Sequence, residues 1–431
     1  MKKILALALL LGSGLQLSAG YAESTGALKT AGDIKVAGKK LDALLAQPGT
    51  ALAKDADAAA LLADNQKALE LFRQAAQVHN DGFLFAAKEE RPGMQTPLPN
   101  FTSHYMLFRL LLLDAKVKAG QLQRAQAESD LLAAAGFISQ LSAQRSSGLI
   151  SSLVGQLCLK KAFPVFADSL RGARGSPAYL KELSARLGTA SGNQDSMKGA
   201  ILEEMEKIKN TFRAEMENQL KTRPFWQRLL INKVMSKDSR LVIDERFNAA
   251  IDALSGAMTD AFSANDPASL TSYMQKAEQE RQARKPSHSF VRGVALALTG
   301  GRAKDEWVAE VFTDLFMEIA IPDYSKIVPR YHAAVASLNV LRAAVAVKTY
   351  ARAYRRPPES LDRLVPALLP AVPQDPFNKF APLAYAASAG GRFVVYSFGP
   401  DGDDDKGAAA LDQEAYTLDA AKSAGDIVYS E

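Results

Sequence analysis

The chain has 431 residues, of which 48% are hydrophobic and 23% are charged. Apolar content this high can bury a core, so the composition excludes general disorder, and at ~150 residues per domain the length predicts two or three domains. The 52 lysines and arginines against 47 acidic residues leave a formal charge of +5. Over this length that charge is too small to indicate a nucleic-acid-binding protein. The single cysteine, Cys158, excludes an intramolecular disulfide framework and a cysteine-based metal cluster, and its apolar surroundings predict a buried side chain.

Residues 1–22 have the pattern of a secretory signal peptide. Two lysines at positions 2 and 3 form the positive region, residues 4–11 form the apolar core, and Gly20-Tyr21-Ala22 is a small-x-small cleavage site. The alternative is an uncleaved membrane anchor, but glycine and polar residues from position 12 interrupt the apolar run well short of the ~20 residues that span a bilayer. We therefore expect an exported protein, periplasmic or secreted, with no transmembrane span after cleavage.

Residues 23–320 are predicted to form an all-helical domain. Alanine, leucine and long polar residues dominate, glycine or proline clusters separate the segments, and no stretch shows sustained alternation of β-branched residues. The clearest hairpin has a buried helix over 103–119, ended by Gly120, and a return helix over 122–135. The pattern therefore predicts packed helical hairpins without a sheet.

The composition changes after residue 320. A long helix is predicted over 331–354, ended by Pro357-Pro358, and Ser360 is the expected N-cap of a short helix that runs to residue 368. Strands are expected only after Pro382: a hairpin with strands over 383–386 and 392–398, and a last strand over 427–429. The predicted fold class is mainly α, with a helical-hairpin body followed by a small α+β module over 321–431.

The most distinctive patch is the sequence Asp-Gly-Asp-Asp-Asp-Lys-Gly at 401–407, directly after the second hairpin strand. Its four carboxylates repel one another unless a cation is shared or water screens them, and oxygen-rich loops with glycine suit Ca²⁺. Asp401, Asp403 and Asp405 copy the first three ligands of a helix–loop–helix calcium loop with Asp412 at its twelfth position, but a lysine stands where that loop needs glycine. The alternatives are a strand-associated Ca²⁺ site and a solvated acidic turn that binds no metal.

Two motifs flank this hairpin in a fixed order. Pro373-x-Asp375-Pro376-Phe377-Asn378 precedes it, and Tyr396-Ser397-x-Gly399-x-Asp401-Gly402 ends its second strand. With these motifs, the long helix and the late Asp426-Ile427, residues 331–431 resemble the globular domain of the major pseudopilin of type II secretion. The resemblance implies a long helix with an antiparallel hairpin, and a Ca²⁺ site in the loop after the second strand, with Asp401 and Asp426 at its acidic positions. The candidate metal ligands are therefore Asp401, Asp403, Asp405 and Asp426.

The start of the chain differs from that of a pseudopilin, which has a Gly-Phe cleavage point and a glutamate on a continuous membrane helix. We therefore do not expect processing or polymerisation of the pilin kind. As a whole, the chain resembles a group of uncharacterised exported bacterial proteins that join a long helical region to this same ending. The shared turn, Pro-x-Ser-Leu-x-x-Leu-Val-Pro, stands here at 358–366.

Motifs for a zinc protease, a serine hydrolase of the nucleophile-elbow type and a Ser-x-x-Lys enzyme are missing from the sequence, so no catalytic or cofactor-binding residue is predicted. Four well-separated histidines are expected to be surface or capped residues: His79, His104, His288 and His332. We expect a non-enzymatic exported protein of the cell envelope, with an interaction or structural role, a protein partner and a C-terminal module that Ca²⁺ stabilises. The alternative is an exported hydrolase with a carboxylate site assembled by folding, which would need a concave site that gathers acidic or histidine side chains away from the acidic loop.

Overall fold

The computed structural model of the chain describes residues 21–77, 101–190, 194–222, 237–284, 296, 301–320, 327–409 and 425–431, except for residues 22, 30–33, 144–147, 172–174 and 389. These residues form two compact units. The first unit comprises the described residues within 1–86, 98–193 and 329–431, and the second comprises those within 194–328. The second unit is therefore inserted, in sequence, between the helices and the C-terminal module of the first. The predicted signal peptide lies outside the described residues, apart from Tyr21.

The helical part of the first unit confirms the predicted helix-rich body. Its α-helices are α1 (Ile34–Leu45), α2 (Gly49–Leu52), α3 (Ala56–Asp64), α4 (Gln66–Gln77), α5 (Phe101–Gly120), α6 (Arg124–Ala143), α7 (Gly148–Leu170) and α8 (Pro177–Ala190). No strand occurs among the described residues of the range 23–320. Helix α5 lies at the centre because its residues 106–113 are all buried, and α6 packs against α5, α7 and α8.

The α5–α6 hairpin ends its first helix where the sequence predicts. A Cβ added to Gly120, the last residue of α5, would lie 1.9 Å from the carbonyl oxygen of Gly49, so this close approach of α2 requires glycine. Leu122 then takes a positive φ of 65°, and the Gln123 amide donates to the carbonyl of Lys118, which satisfies a carbonyl at the helix end.

The second unit is built from four α-helices among its described residues: α9 (Gln194–Thr222), α10 (Lys237–Ala264), α11 (Pro267–Arg284) and α12 (Arg302–Ala320). Helix α10 packs against the other three. Its buried face carries Phe247, which stacks on Phe212 of α9 with ring centroids 4.0 Å apart. The apolar spacing of Ile243, Phe247, Ile251 and Leu254 follows the helical repeat, which explains why this stretch is helical.

The C-terminal part of the first unit combines a long helix with short strands. Its elements are α13 (Ile327–Tyr354), a 3₁₀-helix (Leu361–Leu364), β1 (Gln374–Asp375), β2 (Ala381–Pro382), β3 (Ala384–Ala387), β4 (Phe393–Ser397) and β5 (Ile427–Ser430). Strands β3, β4 and β5 form an antiparallel sheet in that order, and β1 pairs antiparallel with β2. The predicted long helix, hairpin and last strand are confirmed. Buried residues of α13, β4 and β5, among them Ala336, Val395 and Tyr429, belong to the same hydrophobic core as buried residues of α4–α8.

Two local predictions are wrong. The β1–β2 pair precedes the hairpin, so strands do not begin only after Pro382; the pair closes because the amides of Asn378 and Phe380 both donate to the carbonyl of Asp375. The side chain of Ser360 makes no capping hydrogen bond, and the helix after it is a single 3₁₀ turn. Pro366 explains the early end, because the residue before a proline is pushed out of the helical region.

Candidate metal site

The acidic loop is held at its start by a buried carboxylate. Asp375, at the end of β1, is fully buried and accepts hydrogen bonds from the Ser397 hydroxyl at 2.6 Å, the Phe398 amide at 2.8 Å and the Phe377 amide at 2.9 Å. The two sequence motifs that flank the hairpin therefore meet in space at this carboxylate. Both motifs are recognisable in the sequence, but their residues alone do not identify Asp375 as the one that joins them.

Gly399 lets the chain enter the loop against the segment that precedes β5. Its φ is +74°, a conformation that side-chain-bearing residues rarely adopt, and an added Cβ would lie 2.3 Å from the carbonyl oxygen of Gly425. This close approach brings residues 425 and 426 beside the start of the loop. Both the close packing and the positive φ therefore explain why position 399 of the second motif is glycine.

Two of the four predicted metal ligands, Asp401 and Asp426, hold the ends of the loop. Asp401 is partly buried, and its Oδ2 accepts the amide of Gly425 at 2.9 Å. Asp426 is fully buried, and its Oδ2 accepts the amide of Gly407 at 2.7 Å. Each aspartate therefore crosses between the loop and the segment before β5.

The second oxygen of Asp426 is the most informative atom of the site. Asp426 Oδ1 is buried without a hydrogen-bond partner among the described residues. Burial and the nearby carboxylates of Asp405 and Asp404 together raise the pKa of Asp426 to about 6, against the opposing effect of the amides of Gly407 and Asp405. A buried carboxylate oxygen that accepts no hydrogen bond and contacts no cation is costly.

The other two predicted ligands are on the surface. Asp403 and Asp405 are exposed, and so is Asp404, whose Oδ1 accepts hydrogen bonds from the Tyr396 hydroxyl at 3.1 Å and the Lys406 amide at 2.9 Å. Within the described part of the chain, no three histidine, cysteine, aspartate or glutamate side chains stand together in an arrangement that holds a metal. Asp412 lies outside the described residues.

A second cluster of charges, which the sequence analysis missed, lies among α4, α5 and α6. Asp130 of α6 accepts from Arg73 Nε at 2.6 Å and from Lys118 Nζ at 2.7 Å, and Asp114 of α5 contacts the same two cations. Three of these residues line a cavity of about 230 Å³. Because they come from three helices, no local sequence pattern identifies the cluster.

A third group of charges lines a cavity of about 310 Å³ in the second unit, among α10, α11 and α12. Asp314 accepts from Arg284 Nη2 at 2.6 Å and Nε at 2.9 Å, and Glu278 contacts Arg281 one turn away. Asp314 and Glu278 are therefore ion-paired, and Glu280, the third carboxylate of the lining, is exposed.

Several smaller expectations were also tested. Cys158 is fully buried, as predicted, and burial raises the pKa of its thiol well above the usual range. Of the expected surface or capped histidines, His104 and His332 are buried and so are not surface residues, and the other two lie outside the described residues. In the parts of the chain that the structure describes, no helix has the length and hydropathy needed to cross a bilayer.

Comparison of the chain with protein-family models, with curated proteins and with solved structures finds no match. The resemblance of residues 331–431 to the pseudopilin domain, and the function that it implies, therefore remain predictions from the sequence.

Proposed function

We propose that the chain is a non-enzymatic exported protein of the cell envelope, with an interaction or structural role, whose pseudopilin-like C-terminal module is stabilised by Ca²⁺. The helical elements of the first unit would supply a rigid support for that module, because both share one hydrophobic core. The proposed export rests on the signal-peptide pattern of residues 1–22.

The observation that carries the calcium proposal is the buried Oδ1 of Asp426, which has no hydrogen-bond partner among the described residues and stands beside a loop of four aspartates. A divalent cation would give this oxygen a partner and would offset the repulsion from Asp404 and Asp405. Asp401 and Asp426 are the proposed anchoring ligands because they already join the loop to the segment before β5. Asp403 and Asp405, both exposed, are the proposed further carboxylate ligands, and Ca²⁺ accepts the carbonyl and water oxygens that a shell of six to eight also needs.

The ion pairs in the two cavities favour the non-enzymatic proposal over the hydrolase alternative. In the first unit Asp114 and Asp130 both contact Arg73 and Lys118, and in the second unit Asp314 accepts two bonds from Arg284. A general acid or base needs a side chain that is available to the substrate. Carboxylates held in ion pairs of this kind are better suited to joining helices than to exchanging protons with a substrate.

The calcium proposal is tested by calorimetric titration and thermal unfolding of the full purified chain. We expect Ca²⁺ to bind with a dissociation constant of roughly 10⁻⁴–10⁻³ M, as in extracellular modules. When the free Ca²⁺ concentration is a hundred times that constant, binding to the native state raises the free energy of unfolding by about 2.7 kcal/mol. The corresponding rise in melting temperature is several degrees.

Asp426→Asn and Asp401→Asn should each abolish this response, because each removes an anchoring charge. The matched control is Asp362→Asn, an exposed aspartate of the 3₁₀-helix outside the loop, which should leave the response intact. Equal melting temperatures of the wild-type protein in Ca²⁺ and in chelator would show that the loop is a solvated acidic turn.

The proposed location is tested separately by osmotic-shock fractionation of cells that express the full chain. We expect the protein in the periplasmic or secreted fraction, without its leader. Recovery in the cytoplasm would contradict the envelope role, whatever the calcium measurement shows. Recovery only in washed membranes, with Met1 retained, would contradict the cleaved, exported form.

A further inference from the structure

The first described residue of the chain, Tyr21, lies in the hydrophobic core of the first unit. Its side chain is only 2% exposed, and its ring packs edge-on against Phe72 of α4, with ring centroids 5.3 Å apart. It also contacts Phe137 of α6 and His104 of α5, at 5.7 and 5.9 Å. Tyr21 therefore touches the three helices at the centre of this unit.

The polar groups of Tyr21 are also satisfied inside the core. Its hydroxyl donates to Oε1 of Gln140 at 2.7 Å, and the amide nitrogen of Gln140 donates to the carbonyl of Ala75 at 3.4 Å. The carbonyl of Tyr21 accepts from the Ser24 hydroxyl at 2.7 Å, and Ser24 is itself fully buried. A folded unit that lacked Tyr21 would contain a cavity of tyrosine size and a buried glutamine without its hydroxyl partner.

The sequence offers two overlapping cleavage sites of the small-x-small kind. Gly20-Tyr21-Ala22, the site predicted above, gives a chain that begins at Glu23 and lacks Tyr21. Ser18-Ala19-Gly20 has small residues at the same two positions and gives a chain that begins at Tyr21. The two products differ by two residues, and only the second retains Tyr21, whose side chain completes the core.

We propose that the leader is removed between Gly20 and Tyr21, so that Tyr21 is the first residue of the exported protein and anchors its N-terminus in the core. This inference rests on the proposed export. A leader peptidase acts on the chain before it folds, so the burial of Tyr21 in the final structure does not protect the bond. Burial instead determines which of the two products can form the complete core.

The direct test is the N-terminal sequence and intact mass of the protein recovered from the periplasmic or secreted fraction. A chain that begins at Tyr21 supports the inference, and a chain that begins at Glu23, or at any residue other than Tyr21, overturns it. Cytoplasmic protein that retains Met1 contradicts the proposed function itself, so the two failures are distinguishable.

Two substitutions separate the overlapping sites, since each changes a small residue that only one site needs. Ser18→Lys replaces the first small residue of the Ser18-Ala19-Gly20 site with a large charged one. We expect it to abolish the product that begins at Tyr21. Ala22→Lys alters only the other site, and we expect the Tyr21 start to remain. The reverse pattern would overturn the inference.

The thermodynamic test compares purified chains that begin at Tyr21 and at Glu23. We expect the shorter chain to melt about 10 °C lower, because it lacks a fully buried aromatic side chain. Tyr21→Phe in the longer chain keeps the ring and loses only the hydroxyl, so its melting temperature should lie between the two. Equal melting temperatures for the two chains would overturn the proposed anchoring role.

Discussion

The hydroxyl of Ser397 donates a 2.6 Å hydrogen bond to Oδ1 of Asp375, and both residues are fully buried. The bond joins the last residue of β4 to the last residue of β1. The same carboxylate accepts the backbone amides of Phe377 and Phe398. One side chain therefore holds the end of the hairpin, and the start of the acidic loop, against the turn between β1 and β2.

Removal of this carboxylate should destabilise the first unit strongly. Asp375→Ala leaves two backbone amides and one hydroxyl without acceptors, and at ~1–3 kcal/mol for each unsatisfied buried group the loss should be at least about 3 kcal/mol. Ser397→Ala removes one of the three bonds and also the hydroxyl that accepts the Gly399 amide at 3.3 Å, so it should cost about 1–2 kcal/mol. Urea unfolding of the full chain measures both, with the exposed Asp362→Ala as control. Equal losses of unfolding free energy in Asp375→Ala and Ser397→Ala would contradict the conclusion that all three hydrogen bonds to Asp375 stabilise the unit.

Alanine substitutions at Gly399 and Gly391 distinguish the cost of steric overlap from the cost of backbone strain. Both glycines have φ near +75°, but an added Cβ at Gly399 would lie 2.3 Å from the carbonyl oxygen of Gly425, whereas nothing lies within 4 Å of one at Gly391. Gly391→Ala should cost only ~1–2 kcal/mol, the penalty for an L-residue in this conformation. Gly399→Ala should cost more, because it also displaces the segment that carries Asp426, and it should weaken any response to Ca²⁺. Equal losses of unfolding free energy in the two variants would show that the close approach does not contribute.

Features encoded over short stretches of sequence were predictable. Helical periodicity predicted α5, α6 and α13, and strand-favouring runs on either side of a glycine-containing turn predicted β3 and β4. The acidic loop was recognisable from composition alone. The wrong local predictions, at Ser360 and at β1–β2, concern one or two hydrogen bonds each, which patterns of hydrophobicity do not specify.

Contacts between distant segments were not predictable in the same way. Tyr21 belongs to a leader pattern when only its neighbours are considered, and its place in the core depends on Phe72, Phe137 and Gln140, which lie far along the chain. For the candidate site, the sequence identified Asp401 and Asp426 through a resemblance. It did not show that Asp426 would keep a buried oxygen without a partner, because that depends on how the segment before β5 packs.

Alkaline pH should destabilise the first unit through its buried tyrosines. Burial raises the pKa of Tyr331 to about 12, whereas an unfolded tyrosine ionises near pH 10. The native state therefore favours the neutral phenol, so this contribution is fully present below pH 10 and is lost as the pH rises to 12. The loss from this one group is at most about 2–3 kcal/mol. Tyr331→Phe should make the urea midpoint less sensitive to pH between 10 and 12, whereas Tyr354→Phe, at a side chain that is 63% exposed, should not.

The carboxylate of Asp130 in α6 is only 2% exposed. It accepts from Arg73 Nε of α4 at 2.6 Å and from Lys118 Nζ of α5 at 2.7 Å, so it joins three helices. Asp130→Asn leaves both cations with the partly buried Asp114 as their shared carboxylate. Because Asp114 alone then compensates two cations, the loss should be about 3 kcal/mol, the lower end of the cost of breaking a buried ion pair.

An exposed ion pair provides the comparison for this cluster. Lys40 and Asp57 lie 3.1 Å apart with side chains 53% and 69% exposed, so Asp57→Asn should cost less than about 1 kcal/mol. High salt should weaken that small contribution but should scarcely change the effect of Asp130→Asn, since buried pairs are screened much less. A double-mutant cycle of Asp130→Asn with Arg73→Met measures the coupling directly, and we expect an interaction free energy of ~1–3 kcal/mol. Additive losses in that cycle, or a loss at Asp130 no greater than at Asp57, would contradict the role of Asp130 in joining the helices.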